Sequence, residues 1–201
     1  MIIIGEDDSP NCSKAFFMRL FVAITAQNID FDLGQELKKL KINLSKKELE
    51  FKLVPVENLH VTLNFLGEIS QDKIPSILQS LKTVSEAHQQ FSLKLKGLWA
   101  FPDLTKGQVM WIAVQNSIKL QYLQAACEQS LRAAGLELEN RDYRPHMTVA
   151  RLRNPRNLKD VLSPYQGHQF GVLKVESVDV YESKLGGAFP IYQKMASFPL
   201  K

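Results

Sequence analysis

Cysteine is nearly absent from this chain: Cys12 and Cys127 are the only two in 201 residues. Two thiols so far apart make neither a disulfide framework nor a metal-ligand cluster, and they fit a reducing compartment. Histidine is scarce too, at four. Neither a Cys cluster nor a spaced carboxylate triad accompanies any of them, so no metal and no cofactor are expected. No apolar run is long enough to cross a bilayer. Met1-Ile2-Ile3-Ile4 is apolar but short, and no basic segment precedes it, which argues against a signal peptide. The expectation is a cytoplasmic protein without membrane association. Neither sign of charge dominates: 25 Lys and Arg face 21 Asp and Glu, a net charge of +4. That balance suits a polyanionic partner without singling one out, since many basic proteins bind no anion.

What the chain does have is apolar content, 45% of residues, and enough length to bury a core. It reads as one domain, or one domain of two similar lobes, over residues 18–201. Residues 1–17 stand apart. Gly5-Glu6-Asp7-Asp8-Ser9-Pro10-Asn11 is acidic and turn-forming with little to bury, so this segment is expected to be a peripheral or disordered extension.

One motif occurs twice. Asn58-Leu59-His60-Val61-Thr62-Leu63 and Arg144-Pro145-His146-Met147-Thr148-Val149 both have the form His-x-Thr-apolar, with a further apolar residue at x. Alternation of this kind is the period of a β-strand, in which successive side chains point to opposite faces. His and Thr then emerge side by side on one face, and Val61, Leu63, Met147 and Val149 anchor the other. A single copy would be an ordinary half-buried polar face. Two copies, 86 residues apart at 60 and 146, use half of the histidines in matching contexts and suggest a duplicated half-fold with its copies facing one another.

The rest of the chain interleaves strands and helices. Arg19–Thr25 reads as a strand buried on both faces and 30–41 as a helix with Leu33, Leu37 and Leu40 on one stripe. Phe51–Val54 is extended, and Pro55 breaks it. The first motif strand should end at Gly67, and Ser70 should cap a helix bearing Ile74, Ile77, Leu78, Leu81 and Val84, with Pro75 in its first turn. His88 falls at that helix's end. Phe91–Lys96 alternates as a strand with one wet face, 99–102 turns, and Val109–Val114 pairs back, with Trp111 in the core or lining a groove. Ser117–Ala134 should be the second lobe's helix, burying Cys127, with Gly135 ending it. After the second motif strand, 154–157 reads as a loop and 158–162 as a short helix. His168 sits in a surface turn, 170–183 holds a strand or hairpin, Gly186-Gly187 turns, and Ile191–Phe198 is the last strand. Hairpin-like pairs dominate, which gives an α+β fold of mainly antiparallel sheet, outer helices and a pseudo-two-fold groove between two lobes.

The paired motif resembles the two-histidine (2H) phosphoesterases, and its context is similar to their RNA 2′,3′-cyclic phosphodiesterase, or 2′-5′ RNA ligase, family. The matching residues extend over Met18–Ile24, Val54–Leu59 and Phe65-Leu66-Gly67-Glu68. They continue through Gly97, Phe101-Pro102, Val109-Met110-Trp111, Tyr143-Arg144-Pro145, Ala150-Arg151, Tyr181-Glu182-Ser183 and Phe198-Pro199-Leu200. The resemblance implies hydrolysis of a terminal 2′,3′-cyclic phosphate to a 2′-phosphate without a metal. His60 would be the proton donor and His146 the proton acceptor, and the reverse reaction would make a 2′-5′ RNA bond. Histidines suit both tasks because they titrate near neutrality. Thr62 and Thr148 hydroxyls would donate to the phosphate oxygens, where charge grows. Arg151 is a third phosphate-binding candidate, yet it lies three positions after Thr148, where strict alternation would turn it away unless the strand bends. The expected partners are RNA ends or nucleotides, with no protein partner and a monomeric chain. Two alternatives keep the same fold: a cyclic phosphodiesterase of small nucleotides, and a non-catalytic RNA- or nucleotide-binding module. Turnover of oligonucleotide against mononucleotide would separate the first.

Overall fold

The computed structural model describes residues 17–115, 117–140, 142–184, 186 and 190–201. The expected extension, apart from Phe17, and Gly187 of the expected turn lie outside the described residues. Among the described residues nine strands form one sheet: β1 (Phe17–Thr25), β2 (Phe51–Leu53), β3 (His60–Ser70), β4 (Phe91–Phe101), β5 (Gly107–Val114), β6 (His146–Arg156), β7 (Gln169–Val175), β8 (Ser177–Lys184) and β9 (Ile191–Pro199). The α-helices of the described residues are α1 (Leu33–Ser45), α2 (Ile74–Ala87), α3 (Ile118–Ala133) and the single turn α4 (Lys159–Leu162). Every pairing between these strands is antiparallel, and the order is β7-β4-β5-β6-β3-β1-β8-β9. The fold is α+β, with the sheet curled into a half-barrel.

The sheet divides at its middle into two four-stranded halves, β3-β1-β8-β9 and β6-β5-β4-β7. They meet at one registered pair, Val61 opposite Met147, the central residue of each motif. Beyond that crossing β6 gives its edge at Ala150–Leu152 to β2. Val61 and Met147 are both fully buried. Truncating Met147 to Ala at such a site costs about 2–5 kcal/mol.

The helices do not follow the lobes in chain order. α1 comes early, but it lies against β2, and it is tied to the second half by Asn43 Nδ2 donating to Tyr165 Oη at 2.6 Å and by Glu36 facing His168 at 3.5 Å. α3, expected on the second lobe, packs instead on α2 and β3. Each lobe therefore borrows a helix from the other's stretch of chain, which long connections permit and local periodicity does not encode. Cys127 is fully buried in α3, and burial pushes its thiol up to about 12, so it is a small hydrophobe rather than a nucleophile.

Several boundaries differ from expectation. β3 runs past Gly67 to Ser70, and a 3-10 turn at Gln71–Lys73 separates Ser70 from α2. Ser70 therefore does not cap α2; its hydroxyl instead bonds the Asp72 carboxyl, holding that group below the usual carboxylate range. β4 continues through Trp99 to Phe101 where a turn was expected, because Gly97 absorbs a kink. Its φ of +86° lies in the left-handed region, and a Cβ there would stand 2.7 Å from the Gln166 carbonyl. β6 likewise runs through Asn154 and Pro155 to Arg156, held at its end by Gly107.

Candidate active site

The two motifs have one local structure. From the histidine onward both strands read half-buried, buried, half-buried, buried, buried, exposed, buried. The doubled buried position is a β-bulge in each. On β3, Ala23 pairs with Thr62 and Val22 with Asn64, leaving Leu63 extra; on β6, Trp111 pairs with Thr148 and Met110 with Ala150, leaving Val149 extra. A bulge shifts the side-chain phase by one residue. The fifth residue after each histidine therefore comes back to the His and Thr face: Phe65 on β3 and Arg151 on β6. This is the bend that turns Arg151 toward the histidine face of β6. Its positive charge acts on both His60 and His146.

Each histidine is oriented in the same way. His60 Nδ1 lies 2.7 Å from the Asn58 carbonyl oxygen and His146 Nδ1 lies 2.7 Å from the Arg144 carbonyl oxygen. The carbonyl accepts, so Nδ1 carries the proton in the neutral ring and Nε2 is left bare for chemistry. Burial lowers the pKa of both below the ordinary 6.5, the carbonyl contact partly opposing it. Arg151 lowers both further, and the charge of His146 lowers His60. The two rings thus compete for protons across one site. An anion placed between them would reverse that bias.

Aromatic walls back the histidines. Phe21 packs against His60 at 5.1 Å between ring centroids and Tyr192 meets it edge-on at 5.3 Å. Phe101 and Trp111 stand edge-on to His146 at 5.1 and 5.8 Å. Behind each lies a stacked pair, Phe21 with Tyr181 and Phe101 with Trp111, at 5.3 and 4.8 Å. Tyr181 is fixed in turn by Asp179, fully buried, which accepts from Tyr181 Oη at 3.3 Å, Lys194 Nζ at 2.8 Å, Ser177 Oγ and Ser197 Oγ. Sequence reasoning missed Phe21, Tyr181 and Tyr192. No local signal marks them, because only the sheet order, in which β1, β8 and β9 follow β3, brings these three strands to the His60 side.

Of the sequence candidates, His60, His146 and Arg151 are therefore in electrical contact. Thr62 and Thr148 stand half-buried on the histidine face of their strands, beside Ala23 and Trp111. His88 and His168 stay outside. His88 Nδ1 bonds the Val84 carbonyl at the end of α2, and His168 packs among Phe31, Tyr165 and Phe170. Among the described residues no group of three or more His, Cys, Asp or Glu could hold a metal ion, and no helix is long and apolar enough to cross a membrane.

Comparison with known proteins gives this geometry a context. The RNA 2′,3′-cyclic phosphodiesterase of Methanothermobacter thermautotrophicus is 30% identical over 186 residues, covering 91% of this chain and 99% of that one. Its namesake from Methanocaldococcus jannaschii is 32% identical over 179 residues, 88% and 97% of the two chains. Among solved structures, TT0787 of Thermus thermophilus superposes with a TM-score of 0.70 at 24% identity, covering 91% of this chain and 98% of that one. E. coli LigT, solved with 3′-AMP, gives 0.69 at 24%, over 92% and 99%. These two show the same fold. The family described as the 2′-5′ RNA ligase superfamily matches residues 30–187, a span that holds both histidine strands and both bulges, and the chain belongs to it.

Proposed function

We propose that the protein is a phosphoric diester hydrolase acting on RNA 2′,3′-cyclic phosphate ends, working as a monomer in the cytoplasm. The relatives that match nearly end to end carry the name RNA 2′,3′-cyclic phosphodiesterase. The observation that carries the chemistry is the pair of histidines with identically fixed Nδ1 atoms under the field of one arginine. The active form holds one proton between the two rings. His146, neutral, takes a proton from water through Nε2 as the water oxygen bonds to phosphorus. The bond to the 3′ oxygen breaks on the opposite side, and His60, protonated, gives that oxygen its proton. A 2′-phosphate and a 3′-hydroxyl result, and exchange with solvent resets the pair. The steps use only side chains of this protein.

The electrostatics favour this order of events. Burial and Arg151 disfavour a charged imidazole. A bound phosphodiester anion supplies the attraction that raises the acid's pKa where the reaction needs it. Arg151, Thr62 and Thr148 would then donate to the non-bridging oxygens, in a site where such bonds count for more than in water. All the residues used lie in 18–201, so the activity is assigned to that part of the chain. The test is to digest a defined oligonucleotide with a 2′,3′-cyclic end and identify the terminal phosphate by 31P NMR. A 2′-phosphate is expected, and a 3′-phosphate would reverse the leaving group and overturn the assignment.

A further inference from the structure

The short strand β2 sets a second cation beside Arg151. It pairs with β6 in the register Phe51–Leu152, Lys52–Arg151 and Leu53–Ala150. Phe51 and Leu53 pack on the core, beside the buried Leu152 and Ala150, so strand alternation turns Lys52 to the other face. Residues directly opposite on antiparallel strands share a face, with Cβ atoms about 4.5–5.5 Å apart. Lys52 therefore stands on the histidine face of the sheet at the side of Arg151, and both side chains are exposed.

Like charges set directly opposite each other cost stability. The next row on the same face of these two strands shows the ordinary solution. There Glu50 accepts from Arg153 N through its carbonyl at 3.0 Å and pairs with the Arg153 guanidinium at 3.2 Å. Among the described residues no carboxylate pairs with Lys52 or Arg151. Unmatched cations side by side are an arrangement that bound anions stabilise. Of the two charges, that of Arg151 lowers both histidines, and Lys52 stands one strand further out on β2. The chain leading into β2 is basic as well: residues 38–52 hold six lysines, all exposed, against two glutamates. This edge of the molecule is thus cationic, whereas the chain as a whole is nearly balanced at +4.

A nucleic acid strand carries one charge per nucleotide. The anion next to a terminal cyclic phosphate is therefore the phosphate on the 5′ oxygen of the same nucleoside. Resting on the phosphodiesterase reading above, we propose that Lys52 binds this second phosphate as part of an RNA strand, and so makes the enzyme favour strand ends over a bare nucleoside cyclic phosphate. Arg151 holds the phosphate that is opened, and Lys52 holds the one before it.

The experiment measures kcat/KM on three substrates: a nucleoside 2′,3′-cyclic phosphate with a free 5′-hydroxyl, the same compound with a 5′-phosphate, and a dinucleotide with the same cyclic end. In the wild type the dinucleotide and the 5′-phosphate should each gain roughly 3- to 10-fold over the 5′-hydroxyl compound, between the effect of an exposed ion pair and that of a charge-assisted hydrogen bond. Lys52→Gln should bring both ratios to within about twofold of unity, and Lys52→Arg, which keeps the charge, should restore them. Arg151→Gln should slow all three substrates and leave the ratios in place. Raising salt from about 50 to 200 mM should shrink the wild-type dinucleotide ratio roughly two- to threefold and leave that of Lys52→Gln unmoved. Lys52 is exposed and its removal relieves a repulsion, so the Gln variant should fold with an undiminished Tm. No gain in the wild type, a gain that persists in Lys52→Gln, or an equal loss on all three substrates in Lys52→Gln would overturn the proposal; the last would put Lys52 on the reacting phosphate. A gain confined to the 5′-phosphorylated mononucleotide would also overturn it, by making a small nucleotide rather than a strand the ligand. A wild type that turns over none of the three would instead refute the phosphodiesterase reading, and the proposal with it.

Discussion

Replacing Arg151 by Gln removes one charge from the centre of the site and should be read twice in one experiment. The Val149 bulge turns Arg151 to the histidine face of β6, and its field lowers both histidines. If it binds the phosphodiester, a charge-assisted hydrogen bond is lost, about 1.5–3 kcal/mol, which lowers kcat/KM by roughly 10- to 150-fold. Arg151→Lys keeps the charge but not the forked geometry, so it should recover only part of this. The second effect has the opposite sense. Without the guanidinium, protonation of His60 and His146 becomes easier, both pKa values rise, and the bell-shaped profile of kcat/KM moves to higher pH. In the wild type both values are lowered from 6.5, so the optimum should lie on the acid side of that value. The assay is kcat/KM against pH, from about 5 to 9, on a cyclic mononucleotide. An Arg151→Gln enzyme with wild-type rates and an unmoved profile would show that Arg151 is a surface side chain with no part in the site.

Stability should carry the same signature. Both histidines bind protons less well folded than unfolded, so their contribution is intact above about pH 6.5 and is lost as the pH falls from there through the folded values. Sulfate, an anion of constant charge over this range, should raise Tm more near pH 5.5 than at pH 8, and His60→Gln or His146→Gln should remove most of that difference; a pH-independent sulfate shift in the wild type would refute it. Activity on a cyclic mononucleotide should survive excess EDTA, and loss with recovery on adding a divalent cation would require a metal in the mechanism.

The histidine strands were legible because their information is local. Alternation of apolar residues with His and Thr fixes a strand and a face, and its repetition at 60 and 146 pointed to paired half-folds. Arg151 was named by the resemblance, but its direction was not legible, since it depends on the Val149 bulge, a property of register with β5 rather than of the β6 sequence. The same limit applies to Trp99 and Phe101, which looked like a turn until Gly97 let β4 continue through them. Phe21, Tyr181 and Tyr192 are close to His60 only because β1, β8 and β9 follow β3 in sheet order, and their strands are distant in sequence. The exchange of α1 and α3 between lobes lies in long-range packing, where hydrophobic stripes say which face is buried but not against what.

The central claim is that His60 and His146 share one proton-transfer transition state at a single phosphate. Single-turnover rates of His60→Ala, His146→Ala and the double variant on a cyclic-ended oligonucleotide test it most directly. Each single change should cost on the order of 10²–10⁴-fold. The double variant should lose little beyond the worse single one, because a pair acting in one step fails as a unit. Wild-type rates in either single variant, or losses that multiply in the double, would contradict the account.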